Sequence, residues 1–493
     1  MMFKNKTGFN IHWEFIVKIV GLILIFESLF IFLSAAVSAY FHESVTGSIV
    51  LSAVITFASG LGISLSTGFK KRTKMIGKKE SYLGVALSWI LFALFGALPF
   101  YISGVIPSFS DAFFEAASGI TTTGATVLVD IESVPKGLLF WRSITQWLGG
   151  MGIIVFSIAL LPLLGGEAAQ LFDAEASGLT HDKFRPRVTQ MAKRLLGVYL
   201  LFSFLIIVLL WCGPMGLYDA VCHGFSTIST GGFSTKQSSI AYWNSIYTEI
   251  VIILFMTIGA INFPLLYFLL KGRFKKISKD EELRWFLSII LVVSCIVSAG
   301  LIYNSDYNVP NSFRSSLFQV VSVISTTGFS TDDFSVWGPF YLILFLFLMI
   351  VCGCAGSTSG GLKIVRAVVL AKNTIYEFER LLHPRAVISV RLNGRSLSFG
   401  IVQRLLAFAF LYISIIFVSW GVLSLIGIPF VESLGAVVTS IGNVGPGFET
   451  NGPCGSFAGI PSIAKWYLSF LMIIGRLEIF TILILFTPGF WKK

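Results

Sequence analysis

The sequence predicts an all-α polytopic membrane protein, in which four tandem helix–pore loop–helix units surround one pore and follow an extra N-terminal helix pair. Three observations predict this fold: an apolar composition, basic residues confined to alternate loops, and a short motif that occurs four times. Of 493 residues, 55% are hydrophobic and 12% are charged, and the mean hydropathy is +0.83. A chain of this composition has lipid, not water, as its main solvent.

Long apolar runs provide the predicted helices. Most of them are long enough to cross about 30 Å of hydrocarbon as a helix. The runs are 14–40, 46–69, 81–107, 138–164, 197–212, 246–270, 285–303, 401–427 and 464–487. The first run follows Lys4 and Lys6, is longer than a signal-peptide core and lacks a small-residue cleavage site, so we expect it to be a retained span.

The net charge of +11 is distributed over every second loop, which is the positive-inside pattern and not the single basic face of a nucleic-acid-binding protein. Four basic loops are expected in the cytoplasm together with both termini: 70–79, 183–194, 271–279 and 363–404. The intervening segments hold three basic and ten acidic residues, so they should face outward and attract cations. These segments are 101–137, 212–245, 303–337 and 428–463.

Each outward segment contains one copy of a nine-residue motif with Ile third and Gly seventh. The copies read SGITTTGAT from Ser118, STISTGGFS from Ser226, SVISTTGFS from Ser322 and TSIGNVGPG from Thr439. Four copies on one side favour a pore over re-entrant turns that merely fill a helix bundle. The predicted organisation is a helix pair followed by four units: 1–69, 70–165, 166–272, 273–392 and 393–493.

A short helical stretch precedes each motif. In the first copy it spans 110–118, where Ser110 can cap the helix and Asp111 complements its positive end; Asn311 or Ser312 can do likewise in the third. About ten residues of helix reach only halfway through a bilayer. The C-terminus then directs its partial negative charge at the membrane centre, where it stabilises a cation.

The backbone after each short helix has to be buried in protein or line a watery cavity, because lipid offers it no hydrogen bonds. Threonine and other small residues suit a narrow segment whose carbonyls turn inward, and a glycine at the seventh place allows the backbone conformation this requires. A ring of such carbonyls replaces part of the hydration shell of an ion, as in potassium channels. The motif therefore predicts an ion filter.

Two features interrupt the predicted pathway below the motif. The run that starts near Gly338 is about 21 Å long, too short to cross, and is followed by the glycine-rich segment 353–361 at membrane depth. This segment is either a gate or a fixed kink; it fails as a phosphate loop because Leu362 separates Gly361 from Lys363.

The second feature is an arginine in the last apolar run. Arg476 acts either as a positive barrier in a cation pore or as one partner of a structural ion pair with Glu478 or Glu249.

The chain resembles the TrkH-type membrane subunit of bacterial Trk potassium uptake systems, in the superfamily that also holds Ktr and HKT transporters. The four loops, the extra helix pair and the GRLE sequence around Arg476 carry the resemblance, which covers nearly the whole chain. It implies that main-chain carbonyls of four segments form a potassium filter. The filter residues are Thr121, Thr122, Thr123, Gly124, Ser229, Thr230, Gly231, Gly232, Ser325, Thr326, Thr327, Gly328, Gly442, Asn443, Val444 and Gly445.

The resemblance also assigns ion contacts and a gate. Glycine at the last filter position of all four loops goes with potassium in that superfamily, whereas serine in the first loop goes with sodium. Potassium is expected at Thr122, Thr123, Thr230, Gly231, Thr326, Thr327, Asn443 and Val444. The gate would consist of Arg476 and an intramembrane loop with Gly353, Gly356, Ser357, Thr358, Ser359, Gly360 and Gly361. Asn443 and Pro446 depart from the other copies, so we expect an only approximately symmetric ring.

Two partners are implied by the resemblance: a TrkA-type cytoplasmic subunit that binds NAD(H) and adenine nucleotides, and a second copy of the chain in a homodimer. The basic loops offer a docking surface for such a subunit, and anionic membrane lipids explain part of the same charge. The chain has no dinucleotide-binding motif, so we expect no organic cofactor on it and potassium as the transported and bound ligand.

Potassium uptake across the cytoplasmic (inner) membrane is therefore the predicted function. The alternative is a proton- or sodium-coupled symporter, which requires an intramembrane relay; the candidates for it are Glu27, Glu249 and Glu478. An enzyme is disfavoured because the sequence has no HExxH, GxSxG or paired-carboxylate motif.

Overall fold

The computed structural model describes residues 13–66, 78–160, 184–304 and 308–492, and these residues are mainly helical. Lys4, Lys6, most of the first basic loop, Lys183 and the unit boundaries predicted at 69/70 and 165/166 lie outside them. In the described part, six helices are long and apolar enough to cross a membrane, or up to eight if each of two bent helix pairs is one span. The chain is a multi-pass membrane protein.

The predicted N-terminal helix pair is present as α1 (Trp13–Tyr40) and α2 (Thr46–Ser66). The two helices cross where Gly21 meets Gly60. A Cβ built on Gly21 would lie 2.8 Å from Gly60 O, and one built on Gly60 would lie 2.9 Å from Gly21 O. Small residues allow membrane helices to approach this closely.

Two helical units follow the pair, and each has a long helix, a short helix and a second long segment. The first unit comprises α3 (Lys78–Gly96), α4 (Leu98–Ile102), α5 (Phe109–Ile120) and α6 (Lys136–Leu160). The second comprises α7 (Phe184–Trp211), α8 (Leu217–Ile228), a 3₁₀ helix (Ser239–Trp243), α9 (Ile246–Ala260), α10 (Phe263–Leu270) and α11 (Phe274–Ser278).

The third and fourth units repeat this order. The third comprises α12 (Glu281–Asn304), α13 (Val309–Ile324), α14 (Pro339–Ile350), the strands β1 (Val351–Cys352) and β2 (Leu362–Lys363), and α15 (Ile364–Leu382). A hairpin of β3 (Arg391–Leu392) and β4 (Arg395–Ser396) leads to the fourth. It comprises α16 (Phe399–Leu425), α17 (Phe430–Gly442), α18 (Ser462–Arg476), α19 (Phe480–Leu483) and α20 (Pro488–Trp491).

The short helices α5, α8, α13 and α17 have 12, 12, 16 and 13 residues. At about 18–24 Å they are longer than the half-membrane length that the sequence predicts, but too short to cross about 30 Å of hydrocarbon. The predicted cap of the first one is wrong. Helix α5 begins at Phe109, and Ser108, with extended backbone, occupies the N-cap position. Ser110 therefore lies inside the first turn, beside Asp111, which is in that turn as expected.

The predicted cap of the third short helix is also wrong. Helix α13 begins at Val309 with Asn308 at the N-cap position, so Asn311 and Ser312 are already helical. Pro310 lies in the first turn, where its fixed φ favours helix and its missing N–H removes no helical hydrogen bond. The proline moves the helix start towards the N-terminus.

The second long segment is broken in three of the four units, whereas the sequence predicts a break only in the third. Helices α9 and α10 meet at 112°, and α18 meets Phe480–Phe486 at 108°. Pro264 in the first turn of α10 cannot donate the hydrogen bond that would continue α9, and Glu478 after α18 has a left-handed backbone, with φ 56°. The interpretation of 246–270 and 464–487 as continuous spans is wrong because hydropathy does not distinguish a straight helix from a bent one.

The start of α12 is tied to the β3–β4 hairpin on the face that the charge pattern places in the cytoplasm. Glu281 forms an ion pair with Lys372, and its backbone N–H donates to Asn393 Oδ1 over 2.7 Å. Asn393 Nδ2 donates to Asp280 over 3.2 Å. These contacts connect a basic surface of the third unit to the first turn of a membrane helix.

Replacing Gly60 with valine should separate α1 from α2, because the added side chain has no space between the two backbones. Overpacking of this kind costs about 1–3 kcal/mol. We expect purified Gly60→Val protein to unfold at a lower temperature than the parent. Gly62→Val on the same helix is the matched control, since a Cβ on Gly62 meets nothing within 4 Å. Equal melting temperatures of the two variants would contradict the close crossing.

Candidate ion pathway

The four motif segments meet in a closed ring, called here the central ring: residues 121–124, 229–232, 325–328 and 442–445. The glycine that ends each segment lies close to the carbonyl oxygen of the third residue of another segment. A Cβ built on the glycine would lie 1.8–2.7 Å from that oxygen, which leaves no space for a side chain. The pairs are Gly124 with Gly231 O, Gly232 with Thr327 O, Gly328 with Val444 O, and Gly445 with Thr123 O. The segments therefore follow one another round the ring in chain order.

The backbone of every ring segment has the same alternation. The second residue is left-handed, with φ of 54°, 53°, 60° and 54°, and so is the terminal glycine, with φ of 87°, 80°, 77° and 106°. The first residue has a negative φ where it caps a short helix, as at Thr121 (−76°) and Ser229 (−80°). Alternation between right- and left-handed backbone conformations turns successive carbonyls to the same side of the segment, as a ring of inward carbonyls requires.

Three of the left-handed residues are threonines, a residue type that rarely adopts positive φ: Thr122, Thr230 and Thr326. A non-glycine residue held there costs about 1–3 kcal/mol and persists only where its surroundings impose it. Asn443 takes the same position in the fourth segment at a lower cost.

Several ring hydroxyls hydrogen-bond within their own segment. Thr121 Oγ1 and Thr123 Oγ1 are 2.7 Å apart, and the equivalent hydroxyls of Ser325 and Thr327 are 2.8 Å apart. Ser229 Oγ donates to Phe225 O over 2.7 Å in α8. These hydroxyls support the segments and leave the main-chain carbonyls free to face an ion.

The fourth segment is held differently. Asn443 Nδ2 donates to Thr123 Oγ1 over 2.9 Å and to Met472 O over 3.0 Å, and Asn443 Oδ1 has no hydrogen-bond partner among the described residues. An amide side chain thus joins the last segment to the first where the other copies have a threonine. The ring is only approximately fourfold, as the sequence predicts.

Each short helix ends at the central ring, with its last residues fully buried. Helices α5, α8 and α13 end at the residue that immediately precedes their ring segment, and α17 ends at Gly442, the first residue of the fourth segment. The partial negative charges of four helix C-termini are therefore directed at the same buried region. This arrangement stabilises a cation there without any carboxylate.

A cavity opens on the side of the central ring that the charge pattern predicts to face outward, and all four ring glycines line it. Two carboxylates of the segments predicted on that side form ion pairs. Asp111 pairs with Lys465 over 2.8 Å, and Glu132 pairs with Lys236 over 3.4 Å. The acidic character that the sequence assigns to the outer side is thus partly neutralised by neighbouring lysines.

The glycine-rich interruption of the third unit forms a loop, called here the inner loop, which spans residues 351–363. Strands β1 and β2 pair in parallel at its two ends. Gly353 N donates to Ile324 O over 2.8 Å, and Thr358 Oγ1 donates to Ile228 O over 3.1 Å. The inner loop therefore lies directly against the C-terminal ends of α13 and α8.

The inner loop also touches the central ring. Gly360 N donates to Thr326 Oγ1 over 3.0 Å, and Thr230 Oγ1 donates to Thr358 Oγ1 over 3.3 Å. A Cβ on Gly360 would overlap Gly442 O. Three of the four ring segments are thus in contact with the loop.

Arg476, at the end of α18, holds the inner loop. Its guanidinium is buried; Nη1 donates to Thr358 O over 2.6 Å and Nη2 to Gly149 O over 3.1 Å. The predicted alternative of an ion pair is wrong, because Glu478 pairs with Arg366 over 2.6 Å and Glu249 with Arg314 over 3.1 Å. In the described part of the chain, no carboxylate forms a salt bridge with Arg476, so its positive charge stays beside the loop.

Glu282 is a residue near the inner loop that the sequence reasoning missed. Its carboxylate is buried, and one oxygen accepts hydrogen bonds from Ala355 N over 2.7 Å and Val365 N over 3.2 Å. From the first turn of α12 it therefore ties the inner loop at Ala355 to the first turn of the helix that follows it, α15, at Val365. In the sequence Glu282 is one of several charged residues at the start of a helix, and nothing there indicates a contact with the inner loop.

Two further residues beside the central ring, Arg142 and Gln146, were also missed. They lie in the apolar run 138–164 and contact the second ring segment and the residues that follow it. Their separation of four residues within an apolar run was the available signal, because it places both on one helix face.

Comparison with known proteins gives consistent matches over the chain. The family model TrkH, described as a cation transport protein, matches residues 48–493. The Trk system potassium uptake protein TrkH of Salmonella typhimurium is 37% identical over 486 residues, 98% of this chain and 100% of that protein; its Escherichia coli K12 counterpart is 36% identical with the same coverage. The crystal structure of the potassium transporter TrkH from Vibrio parahaemolyticus superimposes with a TM-score of 0.89, at 35% identity over 98% of this chain and 100% of that one.

Removing the carboxylate of Glu282 should loosen the inner loop. We expect Glu282→Met to raise amide hydrogen exchange of residues 353–365 on the order of tenfold, since two backbone donors lose their acceptor. Glu282→Gln should change exchange little, because its side-chain carbonyl oxygen can accept both bonds. Exchange in α13, measured in the same experiment, serves as the internal reference. Equal protection of the inner loop in the two variants would contradict the assigned contact.

Proposed function

The chain belongs to the TrkH family of cation transport proteins, and from this premise we propose that it carries potassium ions inward across the cytoplasmic (inner) membrane of a bacterium. The closed ring of four motif segments is the observation that carries the proposal. The relatives named as potassium uptake proteins support the choice of ion.

The central ring is the proposed selectivity filter, with Thr121–Gly124, Ser229–Gly232, Ser325–Gly328 and Gly442–Gly445 as its four parts. Potassium would contact the main chain at Thr122, Thr123, Thr230, Gly231, Thr326, Thr327, Asn443 and Val444. The alternating handedness of the backbone and the four helix C-termini support this assignment, because both direct negative partial charge at one place. The ion exchanges its water shell for carbonyl oxygens there.

The inner loop and Arg476 are the proposed gate. The loop residues from Gly353 to Gly361 pack against three ring segments, and the guanidinium of Arg476 holds Thr358 O. An ion leaving the filter inward would meet buried backbone and an arginine charge that no described carboxylate compensates. This arrangement corresponds to a closed gate, and conduction requires the loop to move.

Movement of the loop would be controlled from the cytoplasmic face. We propose a TrkA-type nucleotide-binding subunit on the basic surface and a homodimer of this chain, with both chain termini on the cytoplasmic side. The name of the relatives, a Trk system, supports a multi-component assembly. The first turn of α12 connects that surface to the inner loop: Glu281 is hydrogen-bonded to Asn393 of the hairpin, and its neighbour Glu282 is hydrogen-bonded to Ala355 of the loop.

Coupled symport with protons or sodium is the alternative. Its candidate carboxylates are poorly placed for a relay along the ring. Glu249 and Glu478 pair with arginines. Glu27 lies in α1 of the N-terminal helix pair and is buried against Gly96 of α3. Potassium accumulation against its electrochemical gradient at clamped voltage, abolished by a protonophore, would favour symport.

A serine at a ring glycine should reduce discrimination between potassium and sodium, because its side chain displaces the neighbouring carbonyl. In liposomes, we expect Gly124→Ser and Gly328→Ser to lower the ratio of potassium to sodium influx about tenfold, which corresponds to ~1.4 kcal/mol. Gly459→Ser is the control, since a Cβ on Gly459 meets nothing within 4 Å. An unchanged ratio in both ring variants would remove the filter assignment.

Neutralising Arg476 should increase ion flux, because the variant Arg476→Ala loses both the barrier charge and the hydrogen bonds to Thr358 and Gly149. We expect rubidium uptake into liposomes to rise several-fold, which corresponds to about 1 kcal/mol in the barrier to conduction. Arg476→Lys keeps the charge and should remain near the parent. Lower uptake in the alanine variant, with normal folding, would assign Arg476 a structural role only.

A further inference from the structure

Two polar side chains of α6 reach the central ring from the first unit. Arg142 and Gln146 are four residues apart, share one face of the helix, and are 1% and 0% exposed. Buried polar groups in a membrane protein have to be satisfied by specific partners. Gln146 contacts the second ring segment and the residue after it, whereas Arg142 contacts α5 and the residues that follow the first and second segments.

Gln146 holds the backbone on both sides of Gly232. Its Nε2 donates to Gly231 O over 2.6 Å, and its Oε1 accepts from Phe233 N over 3.1 Å. A backbone carbonyl has two lone pairs, so Gly231 O can accept this bond and still face an ion. The side-chain amide thus fixes the position of one ring carbonyl.

Gln146 also explains the residue type at Gly231. The other segments have Thr123, Thr327 and Val444 at this place. Gly231 does not have the positive φ that favours glycine, so its backbone conformation does not demand that residue. A Cβ there would overlap the amide group of Gln146, which supplies all three of its nearest atoms. The glycine leaves space for the glutamine amide in its hydrogen-bonded position, and the turn itself does not demand it.

Arg142 extends the same support to the outer ends of two segments. Its Nε donates to Glu115 over 2.7 Å, its Nη1 to Ser234 O over 3.2 Å, and its Nη2 to Thr126 Oγ1 over 3.2 Å. Glu115, in α5, accepts from Val127 N over 2.9 Å. A buried ion pair therefore joins the residues that follow the ring in the first unit to those that follow it in the second.

We propose that Gln146, supported by Arg142, is a positioning residue that sets ion selectivity at the second segment of the ring. The proposal rests on the proposed function of the ring as a potassium filter. In the described part of the chain, Gly231 O is the one third-place ring carbonyl that accepts a side-chain hydrogen bond. A carbonyl held in this way cannot follow a smaller ion inward, so the dehydration of sodium stays uncompensated.

The test compares Gln146→Leu with Gln319→Leu in liposomes, with potassium and sodium influx measured in separate trials. Gln319 is a matched control: it is 1% exposed, and its Nε2 donates over 2.6 Å to Asp332 O, outside the ring. We expect the potassium-to-sodium ratio to fall roughly three- to tenfold in Gln146→Leu, the scale of one hydrogen bond. The ratio should stay unchanged in Gln319→Leu.

A second pair of variants tests the proposal even if Gln146→Leu does not fold. Gly231→Ala should displace the Gln146 amide from Gly231 O, since the methyl group overlaps it, and should therefore lower the potassium-to-sodium ratio. The double variant Gln146→Ala with Gly231→Ala lacks both the overlap and the hydrogen bond, so it should fold and conduct but keep a reduced potassium-to-sodium ratio. Recovery of the parental ratio in the double variant would overturn the proposal.

Two patterns of results separate this proposal from the filter assignment. If Gln146→Leu retains the parental ratio while Gly328→Ser loses it, the filter stands and Gln146 has no positioning role. If the parent does not discriminate and Gly328→Ser changes nothing, the filter assignment and the role of Gln146 both fail.

Discussion

Each ring glycine lies against a carbonyl of the next segment, and this contact sets the constraint that the rest of the fold satisfies. A side chain at any of the four places would push two segments apart, so the main chains can meet only through glycine. Backbone brought together at the centre of a membrane needs every polar group satisfied by protein. Four short helices ending at the ring, paired hydroxyls within the segments and the tied inner loop meet that need.

A single chain with four copies allows the units to differ around this common ring. The first unit supports its neighbour through Gln146, and the third contributes the inner loop. The second and fourth are bent where they face that loop: Phe263 N at the start of α10 donates to Gly356 O, and α18 ends at Arg476, which holds Thr358. The bends place backbone and charge beside one loop, an arrangement that identical subunits with a fourfold axis could not produce.

The sequence allowed prediction of the architecture because its signals are strong and local. Apolar runs, basic loops and the repeated motif predicted the helix pair, the short helices and the interruption at 353–361. The bends after Ala260 and Arg476 escaped prediction since they leave hydropathy unchanged. The partners of Glu282 and Gln146 escaped it because they are a backbone N–H 73 residues away and a backbone carbonyl 85 residues away, and no local residue pattern records such a contact. The family resemblance, and not spacing alone, pointed to Arg476 as a gate residue.

Anomalous diffraction from crystals grown in rubidium chloride would test most directly whether the ring binds the transported ion. We expect a rubidium peak on the ring axis, in contact with the carbonyl oxygens of Thr123, Gly231, Thr327 and Val444, and we expect its height to stay unchanged when an equal concentration of sodium chloride is added. A protein that transports rubidium but shows no peak within the ring, or that binds sodium there equally well, would contradict the proposed filter.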